Sequence, residues 1–369
     1  MDGIRLRLLL TACYWITLRA ALSVSGTVSS SSSLNGPYGI ACSGDYVYAA
    51  LYHGNGLAVI DVSNKASPSV TATLTDSTNL QYARYVALDA QAEYAYVTAN
   101  YRFTVVDVRD KSNPVIGEDA SYNHNWLNEA MMVQVSPLNP NIVFAVAWRG
   151  HSLTAMDVTN KSAPVRAGVY RDTTNAVTNW AWGLAVKDDR AYVTTAWGWS
   201  SKLCIFDVSD PTDMELIGIA LNPTRAWNSI WASSLPPAIV LKDTYAFVAA
   251  PNTDTLAVVD VAQSHAPNAT WRLYSRTRLD GLSSLLLSST DIYALAPVDN
   301  MLTVIDVSTP TEPSVTEYLA NSYFTSAYGL AKEGQYVYAA SNTQDRLTVV
   351  SGPSAPAPSP PNPPSPHRR

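Results

Sequence analysis

Apolar and polar residues alternate along most of the chain with the two-residue period of β-strands, in short runs. A representative stretch reads Tyr46-Val-Tyr-Ala-Ala50, a polar turn, Leu57-Ala-Val-Ile-Asp-Val-Ser63, a second turn, then Ser69-Val-Thr-Ala-Thr-Leu74. Gly, Asn, Asp and Pro punctuate the runs, and no segment sustains a helical period. The Leu-x-Val-x-Asp-Val element recurs at Leu57–Ser63, Phe103–Arg109, Leu153–Thr159, Leu203–Ser209, Leu256–Ala262 and Leu302–Ser308. A seventh copy, Leu347–Ser351, lacks the Asp. The copies lie 45 to 53 residues apart. Four short strands in such a period are the pattern of a propeller blade.

The seventh copy has no fourth strand behind it. The missing piece lies at the other end, where residues 23–39 align without a gap to residues 69–85. Ser23–Val28 is therefore expected to pair with Leu347–Val350 and to cover an edge that would otherwise invite aggregation. The expected fold is all-β: a seven-bladed β-propeller of four-stranded blades, its ring closed by an N-terminal strand.

Leu-x-Val-x-Asp-Val followed by Ser/Thr-Asn-x-x-x-Pro resembles the LVIVD repeat family, whose members are predicted cell-surface or secreted β-propellers. The resemblance covers about residues 22–351. It implies a fold and an extracellular setting, and little about activity, because propellers host many unrelated functions.

Three domains are expected: a signal peptide at 1–21, the propeller at 22–351 and a Pro-rich tail at 352–369. Arg5 and Arg7 precede an uncharged run, Leu8–Leu18, and small residues follow, which is the layout of a secretory leader. That run is too short to span a bilayer. The tail favours polyproline II and cannot join a sheet. Cys13 would leave with the leader, and Cys42 and Cys204 are expected as packed free thiols. Sequons at Asn160-Lys-Ser162 and Asn268-Ala-Thr270 are expected in turns between third and fourth strands. A net charge of −6 gives no basic footprint for nucleic acid.

Asp61, Asp107, Asp157, Asp207, Asp260 and Asp306 recur in almost every blade, so they are assigned to the turn that follows rather than to chemistry. A functional site is expected where the repeats differ. Eight of the ten tryptophans fall in the expanded blades three to five: Trp126, Trp148, Trp180, Trp182, Trp197, Trp199, Trp227 and Trp231. Their loops share one face, with His124, Glu129, Arg149 and His151 among them. Indole faces stack on sugars or cations, and Arg and His add directional hydrogen bonds. The opposing interpretation packs these indoles between blades.

No nucleophile elbow, phosphate loop, His-Glu-x-x-His or Cys-x-x-Cys is present. No cofactor or metal is expected. The expectation is a monomeric binding module, secreted or at the cell surface, taking a protein or glycan on its Trp-rich face. Two alternatives remain: an enzyme acting on a saccharide or similar polar substrate at the channel mouth, and a structural wall or coat component.

Overall fold

The computed structural model describes residues 21–172, 177–195, 202–221 and 238–352. Seven antiparallel four-stranded sheets stand around a common axis. Blade 1 comprises Pro37–Ser43, Tyr46–Leu51, Gly56–Asp61 and Ser69–Thr75, ordered from the axis outwards. Blades 2 to 6 repeat this order over residues 85–123, 130–171, 181–221, 239–274 and 284–320. Blade 7 takes three strands from 327–351 and its outer strand from Ser23–Ser29. That strand runs antiparallel to Arg346–Ser351, with Val24 opposite Val350 and Thr27 opposite Thr348. The ring is closed as the orphan strand required. Three one-turn helices are the helical content of the described residues, and none is long enough to cross a membrane.

Burial explains why the third strands are solidly apolar and the outer strands alternate. Gly56–Ile60 is buried throughout, because each blade is sandwiched between two neighbours. Successive side chains feed different cores. Tyr48, Ala50, Leu57 and Val59 meet blade 2, whereas Val47, Ala49, Ala58 and Ile60 meet blade 7. Seven such cores fill the seven interfaces. Outer strands such as Ser314–Ala320 expose every second residue.

The turn after the third strand locks each blade to the one before it. Asp61, Asp107, Asp157, Asp207, Asp260 and Asp306 each accept the amide two residues on, at 2.7–3.0 Å. Hydrogen bonds from the side chains two residues on (Ser63, Arg109, Thr159 and Ser209), and then those amides, hold the carboxyls of Asp61, Asp107, Asp157 and Asp207 below the usual carboxylate range. The same turns carry Lys65, Lys111 and Lys161, whose ammonium groups lie over Tyr338, Tyr48 and Tyr96 of the preceding blades. The turn backbone also presses on glycines. A Cβ on Gly218 would sit 1.8 Å from the Ser264 carbonyl, and one on Gly168 2.1 Å from the Pro211 carbonyl.

Cys42 and Cys204 are unbridged, and burial pushes both thiols up to about 12. Asn160 is exposed in its turn, its side chain accepting the Ser162 amide. Asn268 differs from expectation: it is exposed as the first residue of the outer strand Asn268–Tyr274, paired with Asp260. Residues 1–20 of the expected leader and 353–369 of the expected tail lie outside the described residues, as do Trp197, Trp199, Trp227 and Trp231.

Candidate functional site

The opposite end of the ring holds the loops that join blades and the turns between second and third strands. Two structural positions recur there. Within one residue of the start of the first strand, beside the axis, stands Tyr38, Arg84, Met131, Trp182, Ser283 or Tyr328, depending on the blade. Two residues earlier the backbone is left-handed in each case, at Gly36, Tyr82, Glu129, Trp180, Gly281 and Ser326. Blades 1 and 6 use glycine, which bears no steric cost there. Tyr82, Glu129 and Trp180 hold the same conformation with a side chain attached, at roughly 1–2 kcal/mol each.

The turn before the third strand supplies the clamp. Its own left-handed residues are Asn55, Tyr101, His151, Asp254, Asn300 and Asp345. Asn55 Oδ1 accepts the Tyr82 amide at 2.9 Å, Asp345 Oδ1 the Gly36 amide at 2.8 Å, and His151 Nδ1 the Trp180 amide at 3.3 Å. His151 is thus a clamp for the loop that carries Trp180. Burial, then the Arg171 charge, lowers its pKa and favours the neutral ring that can accept.

Ten of the fourteen buried side-chain polar atoms without a hydrogen-bond partner, among the described residues, belong to this end. Three sit at the strand entrance: Arg84 Nη1, Trp182 Nε1 and Ser283 Oγ. Three more follow the second strand directly: Asn100 Oδ1, Trp148 Nε1 and Asn342 Nδ2. Leaving such a group unpaired costs about 1–3 kcal/mol. Of the other four, Thr348 Oγ1 lies within a third strand, and three are one repeated type at the opposite end, the hydroxyls of Tyr48, Tyr96 and Tyr338, each ring beneath a lysine.

Aromatic rings surround these atoms in two groups. On blades 7, 1 and 2, Tyr38 lies 4.9 Å from Tyr328 and 5.6 Å from Tyr85, centroid to centroid. Arg84 sits against this group, its guanidinium 5.0 Å from the Tyr52 ring, and Nη2 donates to Glu129. Burial, followed by the neighbouring Tyr85, raises the Tyr38 phenol well above its ordinary value. On blades 3 and 4, Trp148 lies 5.4 Å from Trp180 and 5.5 Å from Trp182, with Arg149 at 5.0 Å. Trp126 packs elsewhere, between His124 at 3.9 Å and Arg166 at 4.3 Å. His124 Nδ1 accepts the Trp126 amide and caps the one-turn helix Asn125–Leu127.

The structure therefore brings Trp148, Trp180, Trp182, Arg149 and His151 together and assigns His124 a capping bond. Trp182 is 7% exposed, and Trp126, Trp148 and Trp180 are half-buried. No cluster of His, Cys, Asp and Glu among the described residues is arranged to hold a metal. The tyrosines and Arg84 were missed because counting tryptophans directs attention to blades three to five. Aligning the repeats at the start of the first strand shows Tyr38, Arg84, Met131, Trp182, Ser283 and Tyr328 as the least alike residues there, and that signal was available.

A third feature lies on blades 5 and 6. Asp254 occupies the clamp position, and burial and then Asp280 raise its pKa to about 6. Asp299 is also raised, by burial and by the same Asp280.

The LVIVD repeat model matches the chain at residues 38–76, 83–122, 180–221 and 293–320. The molecule is a seven-bladed β-propeller carrying LVIVD repeats, as the resemblance implied. No curated protein matches it in sequence. Among solved structures it is similar to the β-propeller domain of Cps50 (Swd1) from Myceliophteria thermophila, with 12% identity and a TM-score of 0.62. That match covers 89% of this chain and 99% of the other. A streptogramin B lyase is similar at 10% identity and TM-score 0.62, over 89% and 97% of the two chains. A protein from Lactobacillus plantarum gives 12%, 0.62, and coverage of 76% and 84%. At these identities the likeness is one of fold.

Proposed function

We propose that this propeller is an extracellular or cell-surface binding module whose ligand, a glycan, seats at the mouth beside blades 6, 7 and 1 to 4. The observation that carries the reading is the set of six unpartnered polar atoms at the two recurring positions. The residue types at each of these positions vary around the ring, so they are not part of the repeated framework. A hydroxylated ligand supplies their missing partners, and tyrosine and indole rings offer faces for sugar rings. The basic and apolar leader and the exposed Asn160 and Asn268 sequons support export.

A glycan array probed with the full-length protein tests this reading. At least one saccharide class should be retained, and Trp148→Ala, Trp197→Ala or Trp227→Ala should weaken its binding by about 1–2 kcal/mol, the scale of one aromatic contact. Retention of no saccharide counts against a glycan ligand.

The Asp254, Asp280 and Asp299 group favours one second reading, an enzyme acting on a saccharide at the same mouth. A carboxyl that keeps its proton near pH 6 beside another carboxyl is suited to general acid–base work. Release of reducing ends from a bound oligosaccharide, abolished by Asp280→Asn, would establish it.

A further inference from the structure

We propose that the ligand carries a carboxylate and that Arg84, with the tyrosines around it, forms a subsite for a uronic acid; this deepens the binding-module reading and rests on it. Arg84 is 6% exposed. One of its terminal nitrogens, Nη2, is committed to Glu129, while the other, Nη1, has no partner. A guanidinium is a planar fork that can serve two carboxylates at once, one from each edge. Glu129 takes Nη2, and Nη1 is left for a ligand.

Glu129 sits at a left-handed position, φ 54°, which glycine fills in blades 1 and 6. A carboxylate retained there, pairing with a guanidinium 45 residues away, holds Arg84 in orientation and keeps its charge from being buried alone. The Tyr52 ring faces the guanidinium, and Tyr38, packed against Tyr52, Tyr85 and Tyr328, extends the aromatic group beside it. Trp148 Nε1 and Trp182 Nε1 are likewise unpartnered and, like the guanidinium, can only donate. Such a set suits a ligand rich in acceptor oxygens. The paired acids of this end, Asp254, Asp280 and Asp299, lie on blades 5 and 6, while the Arg84 group spans blades 7, 1 and 2. A role confined to pairing Glu129 would need one nitrogen, which lysine has.

The experiment measures calorimetric binding of a uronic acid oligosaccharide and of its carboxyl-reduced counterpart, identical in length and linkage. The full-length protein is compared with Arg84→Lys and Glu129→Gln. The acidic oligomer should bind at least tenfold more tightly than the reduced one. Arg84→Lys should erase that preference while the melting temperature stays within a few degrees. Glu129→Gln, whose amide oxygen still accepts from Nη2 and so keeps Arg84 in place while the competing charge is gone, should tighten acidic binding several-fold. Equal affinity for the two oligomers overturns the subsite and leaves the binding-module reading standing. Binding of neither overturns both. A preference that survives Arg84→Lys places the carboxylate elsewhere and overturns the assignment. If Arg84→Lys does not fold, Glu129→Gln decides: acidic binding that is unchanged or weaker overturns the proposal.

Discussion

The two ends of this ring are built from the same strands and solve opposite problems. At the end where third strands turn into outer strands, six aspartates make one bond each to the amide two residues on, and three lysines cover three tyrosines of preceding blades. Repetition there means that every copy does the same mechanical task. At the mouth the backbone repeats as faithfully, left-handed residue for left-handed residue, but the side chains do not. Tyr38, Arg84, Met131, Trp182, Ser283 and Tyr328 share a position, and only the two tyrosines, on the adjoining blades 1 and 7, share a chemistry. The backbone template is kept for the ring, and the side chains carry what distinguishes this propeller from another.

The largest test of the repeated end is Gly218→Val. The Ser264 carbonyl occupies the space a side chain would need, so blades 4 and 5 must separate. A loss of about 1–3 kcal/mol is expected in urea unfolding, as for overpacking generally. A variant as stable as the parent would show that the turn does not lock the blades.

Lys111→Ala comes next. The ammonium lies 5.4 Å from the Tyr48 ring centroid and donates to the Val108 and Ala92 carbonyls at 2.7 and 2.8 Å. Its removal should cost about 1 kcal/mol in stability and leave ligand binding at the mouth unchanged. An effect on binding would blur the division between the ends.

At the mouth, Asp254→Asn should act in the other direction. The folded pKa of Asp254 is raised from 3.8 to about 6, so between those values the folded protein holds a proton that the unfolded chain has released. Its stabilising share is complete below about pH 4 and is lost as pH rises through 6. Asparagine, already the clamp at Asn55 and the residue at the same turn position at Asn300, removes that loss. Thermal unfolding at pH 7 should show a gain on the order of 1 kcal/mol or less, discounted for solvent screening.

The smallest effect is expected at His151, with the opposite slope. Its folded pKa lies below 6.5, so the unfolded chain takes up a proton first and stability declines as pH falls through that region. His151→Asn should keep the clamp on the Trp180 amide and flatten that part of the pH profile. A profile unchanged by the substitution would mean that the imidazole does not matter to the loop.

Period-two strands, the Asp-Val turns, the seven copies and the orphan closing strand were all legible along the chain, because each depends on residues within one repeat or on an unpaired edge. Strand pairing in a blade is local, and a strand buried on both faces, such as Leu57–Ile60, announces itself as an unbroken apolar run. The eight tryptophans were equally visible, but their number did not reveal which would meet. That Trp148 lies against Trp180 and Trp182, while Trp126 is taken up by His124 and Arg166, follows from how neighbouring blades are set against each other. The pairing of Arg84 with Glu129 and the gathering of Tyr328 against Tyr38 arise the same way. Residues nearly three hundred positions apart become neighbours when blade 7 closes beside blade 1. Ring closure, a property of the whole chain, therefore decided the mouth, and the repeat decided everything that holds it open.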